Sequence, residues 1–244
     1  MTALLLGKGQ RAIDALEKEE RRNAILSAAE RLFVRHPERL PSMAEVADAA
    51  KLAKGTVYLY FSSKEEMLLA LHGRHVHTFF QAMFKLLQRS QPLTIDDMVA
   101  LTREHIVGTA AFLPLAALCM GVMEKAVDAE IRNRFFLEIA DLLARAGAGV
   151  ERHFPNLPRG AGAQLLNQSY AQIIGLWQLM QPGCVPPEAR FRPGMEMFAH
   201  DYGDELEVAL RALWSGYLVQ KQEAAAPAAK QPAAAGIRRK TRRV

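Results

Sequence analysis

Apolar positions between Glu17 and His36 fall at Ala24, Ile25, Ala28, Ala29, Leu32 and Phe33, the spacing of one face of an amphipathic helix. Pro37 and Pro41 end that pattern. Ser42-Met-Ala-Glu45 then forms a capping box, in which a serine oxygen accepts from the amide three residues on and the glutamate reaches back. The helix it opens, SMAEVADAA, is short and stops near Lys51. After the turn KLA, Ser63-Lys-Glu-Glu66 makes a second box, opening a long helix through Leu71, Val76, Phe80, Phe84 and Leu87. Between the two lies KGTVYLYF, residues 54–61. Its Thr56, Val57, Tyr58 and Tyr60 suit a strand, whereas the helices on either side and the short connections favour a third short helix; the periodicity alone does not decide. As a helix it would hold Val57 and Phe61 on one buried side and turn Tyr58 and Tyr60 outward, as a helix-turn-helix presents residues to DNA.

Downstream of Gln91-Pro92 the pattern predicts helices over Thr94–Ala110, Leu113–Lys125, Ala129–Ala146, Ala161–Met180 and Met195–Val219. Ala146-Gly-Ala-Gly-Val150 lacks the preceding strand of a phosphate loop and reads as a helix end. Leu166, Tyr170, Ile173 and Trp177, then Met195, Phe198, Tyr202, Leu206, Leu210 and Leu213, make apolar stripes. Such stripes suit either intrachain packing or a dimeric four-helix interface, and paired half-sites favour the latter. No repeat or strand hairpin is evident, so the fold class is all-α.

Composition refines this picture through the placement of charge. The chain carries a net +5, yet residues from Lys221 onward hold seven Lys/Arg against one acid, Glu223, and the front is also basic. Basic ends flanking an acidic body point to contact with a polyanion. The Ala/Pro segment ending in Arg and Lys has too few large apolar residues to pack and is expected to be disordered. Cys119 and Cys184 have no metal-type spacing and, with no secretory leader or 18-residue apolar run, suggest buried thiols in a cytoplasmic protein without membrane contact. His72 and His75 could share a helix face as a metal pair, but His77 points elsewhere and no nearby Cys or Asp completes a tetrahedral set, so solvated or inter-helix roles are expected. Phe79, Phe80, Met83, Phe84, Phe112, Met120, Met123, Phe135 and Phe136 read as core that could adapt to a ligand. No catalytic constellation or cofactor motif is found; an enzyme is not expected.

The stretch SMAEVADAAKLAKGTVYLYFSSKEEMLLAL, residues 42–71, closely resembles the helix-turn-helix of the TetR family of bacterial regulators. The shared pattern is a capped short helix with two alanines, a turn, then K-G-T-hydrophobic-Y-x-Y/H-F, a polar pair and K-E-E-L. The resemblance implies an N-terminal three-helix DNA-binding domain and a C-terminal helical domain for ligand binding and dimerisation. It implies DNA contacts by Ser42, Lys54, Gly55, Thr56, Tyr58, Tyr60 and Lys64. It also implies a homodimer on a palindromic operator of double-stranded DNA, and an unidentified small-molecule effector. Two positions depart from the pattern: Lys51 stands where the turn usually has glycine, and Ala53 replaces the usual serine or threonine cap. The expected organisation is an N-terminal arm over 1–16, the DNA-binding domain over 17–72 (motif 42–61), the ligand and dimerisation domain over 73–222, and a basic tail over 223–244. The implied function is a repressor released by a small, largely apolar ligand. The competing reading is a helical adaptor whose basic ends bind acidic partners.

Overall fold

The protein is known from a computed structural model, which describes residues 2–37, 39–180, 192–195 and 200–225, with side chains outside 2–15, 120–125 and 220–225. The described residues are helical with no strand, and nine α-helices follow one another: α1 (Thr2–Arg35), α2 (Met43–Ala50), α3 (Lys54–Tyr58), α4 (Lys64–Leu86), α5 (Ile95–Thr102), α6 (Phe112–Ala126), α7 (Ala129–His153), α8 (Ala161–Met180) and α9 (Tyr202–Ala225). Residues 54–61 are thus a short helix and turn. The flanking helices leave no strand partner for their β-prone side chains, and tertiary context overrides propensity.

Most of the apolar face predicted for α1 is buried: Ile25, Ala28, Ala29 and Phe33, joined by Leu26, share one core with Met43, Val46 and Ala47 of α2 and with Val57 and Phe61, whereas Leu32 is half-buried and Ala24 is exposed. Burying a side chain the size of Val57 or Phe61 contributes roughly 1.5–3 kcal/mol, enough to hold a five-residue helix that could not persist alone. Met67, Leu68 and Leu71 of α4 complete this small core, and Ala111 and Leu115 close it from the start of α6. Further along α4, Val76, Phe80 and Met83 enter a second, larger core built with α5 to α9. One helix therefore belongs to both cores.

Several boundaries differ from expectation. The first helix begins at Thr2 rather than Glu17, so residues expected as an arm continue α1. Helix α9 runs to Ala225, taking in the first residues of the expected basic tail; residues 226–244 lie outside the described residues, as do Cys184 and Phe198. The single helix expected over 94–110 changes pitch: after α5, Arg103–Val107 form a π-helical turn closed by Gly108, whose N–H donates to Arg103 O at 2.8 Å. A Cβ on Gly108 would lie 2.8 Å from Glu104 O, so glycine is what lets this wide turn close.

Ala146–Val150 is not a helix end; it lies within α7 at the crossing with α8. A Cβ on Gly147 would sit 2.3 Å from Ala163 N, and one on Gly162 2.3 Å from Gly147 O. The two backbones touch there, which only paired glycines permit. The apolar stripes of α8 and α9 also face inward. Leu166, Ile173, Leu206 and Leu210 are buried in the chain's own core, and Trp214 packs on Phe154 with ring centroids 5.5 Å apart. The exposed apolar residues of these helices are instead Leu179, Val208 and Val219.

Candidate nucleic-acid interface

Helices α2 and α3 are joined by a turn that turns on one residue. Lys51 adopts φ 57°, ψ 42°, the left-handed region, and its N–H donates to Asp48 O at 3.1 Å while Leu52 N donates to Ala47 O at 2.9 Å. A non-glycine residue pays roughly 1–2 kcal/mol there, and the two bonds that terminate α2 hold it in place. Helix α3 starts at Ala53, which offers no side-chain cap, so its first amides remain open.

Ser42 caps α2 as predicted. Its Oγ accepts from Glu45 N at 3.3 Å, and Glu45 Oε2 accepts from Ser42 N at 2.8 Å. Arg39 grips the same carboxylate with two bonds, at 3.0 and 2.6 Å. Arg39 first, then the Ser42 backbone and hydroxyl, hold the Glu45 carboxyl down to about 2.

The second box is only half formed. Ser63 Oγ accepts from Glu66 N at 3.0 Å, but the Glu66 carboxylate binds the preceding serine, taking Ser62 N at 2.7 Å and Ser62 Oγ at 2.5 Å. The α4 N-terminus still gains an oriented entry, with Lys64 exposed at its first position and Nζ 3.8 Å from Glu65 Oε1.

These elements converge on a shallow groove lined by Ser42, Met43, Ala44, Lys54, Tyr58, Ser62, Ser63, Lys64 and Glu65. Four of the seven predicted contacts, Ser42, Lys54, Tyr58 and Lys64, share that groove. Lys54 Nζ stands over the Tyr58 ring, 5.9 Å from its centroid, so cation and phenol are presented together. Gly55 lies beside them with no atom within 4 Å of where a Cβ would be: its face of α3 is open to an approaching duplex. Thr56 is half-buried on the same helix. The groove thus gathers two lysines, a phenol, a hydroxyl and two helix N-termini, groups of the kind that bind phosphate oxygens.

Tyr60 departs from the expectation. It is half-buried against the three-helix core, and the residue that points straight outward is Leu59, 80% exposed. The helical angle explains the leucine. At about 100° per residue, Leu59 lies opposite the buried pair Val57 and Phe61, while Tyr58 and Tyr60 flank that pair about equally on either side. Packing against the three-helix core is what separates the half-buried Tyr60 from the exposed Tyr58.

A second concave region lies in the larger core. A cavity of about 380 Å³ opens among α4 to α9, with His72, Phe80, Phe112, Phe135, Tyr170 and Trp214 in its wall. Among the predicted Phe and Met residues, Phe79, Phe80, Met83, Phe112, Phe135 and Phe136 line it; Phe84 packs beside it under the Arg145 guanidinium at 4.8 Å, and the side chains of Met120 and Met123 lie outside the described residues. Cys119, buried in the same wall, has its thiol pushed up to about 12 by burial, which keeps it protonated.

The three histidines go separate ways. His72 faces the cavity; His75 Nε2 stands 3.0 Å from Glu30 Oε1 of α1; His77 Nε2 stands 2.8 Å from Glu138 Oε1 of α7. Among the described residues no cluster of metal-ligating side chains occurs, and no helix is long and apolar enough to cross a membrane. Arg74, between them, binds Ser27 Oγ at 3.0 Å and Glu30 Oε2 at 2.7 Å. One turn of α4 thus touches the cavity, the DNA-binding core and α7.

Comparison with known proteins agrees with this division. The family described as "Bacterial regulatory proteins, tetR family" matches residues 25–71, and the "Tetracyclin repressor-like, C-terminal domain" matches residues 73–221. The chain is 41% identical over 68 residues to the HTH-type transcriptional activator FasR of Mycolicibacterium smegmatis, a match covering 28% of this chain and 31% of that protein. Its fold is similar to that of the fatty acid degradation regulator FadR from Bacillus halodurans (TM-score 0.52, 16% identity, 79% of this chain and 94% of the other). It is similar too to SmeT, the repressor of the Stenotrophomonas maltophilia multidrug efflux pump SmeDEF (TM-score 0.50, 22% identity, 80% and 89%). A recognition groove at one end of α4, a cavity at the other and family matches over both halves place the chain in the TetR family of DNA-binding transcriptional regulators.

Proposed function

We propose that the chain is a ligand-responsive repressor: a homodimer that binds a palindromic operator and leaves it when a small, largely apolar molecule enters the cavity. One observation carries this reading. Helix α4 starts in the groove with Lys64 and, two turns on, lines the cavity with His72, Val76, Phe80 and Met83. A ligand that pushes on those residues moves the element that positions the groove. Arg74 and His75 pass the movement to α1 through Glu30, so the DNA-binding core turns with α4 rather than sliding past it.

Ser42, Tyr58 and Lys64 hold phosphates in this reading, while Lys54, Gly55 and Thr56 approach base edges and Tyr60 supports α3 from its half-buried position. The dimer face is assigned to the outer sides of α8 and α9, around Leu179, Val208 and Val219, whose exposure leaves apolar surface for a second copy to cover. A change of a few degrees in α4 alters the spacing of two recognition helices against successive major grooves, and a coupling of roughly 1–3 kcal/mol suffices for a 5- to 150-fold loss of affinity. The repressor reading is supported by the placement of groove and cavity on one helix, so that a molecule entering the cavity would disturb the groove.

Selection of bound sequences from a random DNA pool tests the reading. It should return an inverted repeat with half-sites about one helical turn apart or a multiple of it. Enrichment of no sequence, with equal binding to any polyanion, would instead support an adaptor with basic ends.

A further inference from the structure

The polar groups in the cavity wall are few, and most are already engaged. Thr102 Oγ1 donates to Met98 O at 2.9 Å, and Ser169 Oγ donates to Leu165 O at 2.8 Å while accepting from Trp214 Nε1 at 3.0 Å. Asn167 sits at the exposed rim. Among the described residues no Asp, Glu, Lys or Arg lines the cavity. One pair remains with capacity to spare. Tyr170 OH and His72 Nε2 are 3.3 Å apart, and His72 Nδ1 is buried without a partner. His72 itself is only 3% exposed, wedged edge-on to Phe112 at 5.4 Å and beside Phe135 at 6.2 Å between ring centroids.

A buried imidazole nitrogen with nothing to bond carries a desolvation cost that a ligand group can relieve. The chemistry of that group is constrained. An anion would need a cation or several donors, and the buried wall supplies at most the imidazole N–H and the phenol, with the Asn167 amide only at the exposed rim. Burial holds the imidazole neutral, down to about 4, so His72 provides no positive charge. A cation would meet no carboxylate. A pure hydrocarbon would leave the nitrogen unpaired. A hydroxyl or carbonyl oxygen satisfies it, because the imidazole donates from Nδ1 when Tyr170 donates to Nε2, and accepts there in the other tautomer.

We propose that the effector is an uncharged molecule with a largely apolar body and one hydrogen-bonding oxygen, which seats against His72 and Tyr170. This rests on the reading of the cavity as the effector site and adds the ligand's chemical class. It also makes His72 the residue through which the ligand's polar end acts on α4, since Arg74 and His75, two and three residues on, hold Glu30 of the DNA-binding core.

Trp214, in the wall, reports occupancy without DNA, and Trp177→Phe makes it the sole tryptophan. The probes are 4-butylphenol, butylbenzene and 4-butylbenzoate, which share a body and differ in the polar end, titrated into the full-length chain near neutral pH. The phenol should bind about tenfold more tightly than butylbenzene, the gain of one net hydrogen bond, and at least tenfold more tightly than the benzoate. His72→Phe and Tyr170→Phe should each narrow the phenol-to-butylbenzene ratio to within about threefold. The wild-type ranking decides the charge class even where a substituted chain fails to fold. Benzoate binding as tightly as the phenol, or a phenol advantage that survives both substitutions, overturns the proposal and leaves the effector site standing. Failure of all three probes to perturb Trp214 overturns the effector site as well.

Discussion

His72 should make the protein acid-sensitive in a way that one substitution removes. Burial is the main cause of its lowered value, with the nearby His75 second; together they bring the imidazole from 6.5 to about 4. The unfolded chain binds the proton below about 6.5, and the folded chain refuses it until about 4. The unfolded state therefore holds more protons throughout that window. The His72 contribution is complete above pH 6.5, falls as the pH drops, and is exhausted near pH 4. A displacement of about 2.5 units, at 1.36 kcal/mol per unit, makes the full loss about 3 kcal/mol. The other groups near His72 stay silent: burial pushes the Tyr170 phenol up and holds the Cys119 thiol near 12, so both remain protonated. His75, also lowered by burial and opposed by Glu30, contributes with the same sign, but it is present in wild type and variant alike. Urea unfolding of wild type and His72→Phe between pH 4.5 and 7.5 isolates the term. The variant, which places a ring among Phe112 and Phe135, should lose less stability on acidification, by about 2–3 kcal/mol at the acid end. Parallel stability curves for the two proteins would refute the placement of a neutral imidazole in an apolar wall.

Four further outcomes are expected. Lys64→Ala should weaken operator binding and reduce the slope of log affinity against log salt by about 0.9 per half-site, measured by fluorescence anisotropy across a salt series; an unchanged slope would remove Lys64 from the phosphate contacts. Gly147→Ala should destabilise by roughly 1–3 kcal/mol, because its Cβ meets the backbone of α8 at 2.3 Å. Gly73→Ala, whose Cβ meets only Phe135 Cε2 at an ordinary 3.5 Å, should stabilise α4 by up to about 1 kcal/mol and stiffen it, so that the ligand shifts operator affinity less; urea midpoints and anisotropy with ligand check both. Val208→Glu, at a position 64% exposed in the single chain, should leave helical content intact and give a monomer by sedimentation; a stable dimer would move the interface elsewhere on the surface.

The sequence by itself determined the elements whose causes are local. Ser42 three residues before Glu45, the apolar spacing of α1 and the pair Val57 and Phe61 specify helices and a buried side through capping and a 3.6-residue period, and those act within a few residues. The groove followed because Ser42, Lys54, Tyr58 and Lys64 are bound to one another by short connections of nearly fixed geometry. The same periodicity places Leu59 opposite Val57 and Phe61, whereas the half-burial of Tyr60 rests on the helices packed around it.

What only tertiary structure decided are the features whose partners lie far apart in the chain. An apolar stripe such as Leu206, Leu210 and Trp214 has the same pattern whether it faces a second copy or its own core, and it was packing against Phe154 and Ser169 that chose the core. Ala146–Val150 reads as a helix end until α7 and α8 cross with the backbones of Gly147 and Gly162 in contact. His72 lacks a visible partner in sequence because Tyr170 is 98 residues away, and its unpaired nitrogen exists only where α4, α6, α7 and α8 exclude water together. Periodicity states that a side chain is buried; only the assembled neighbours state what it is buried against, and the chemistry of the cavity depends on the second.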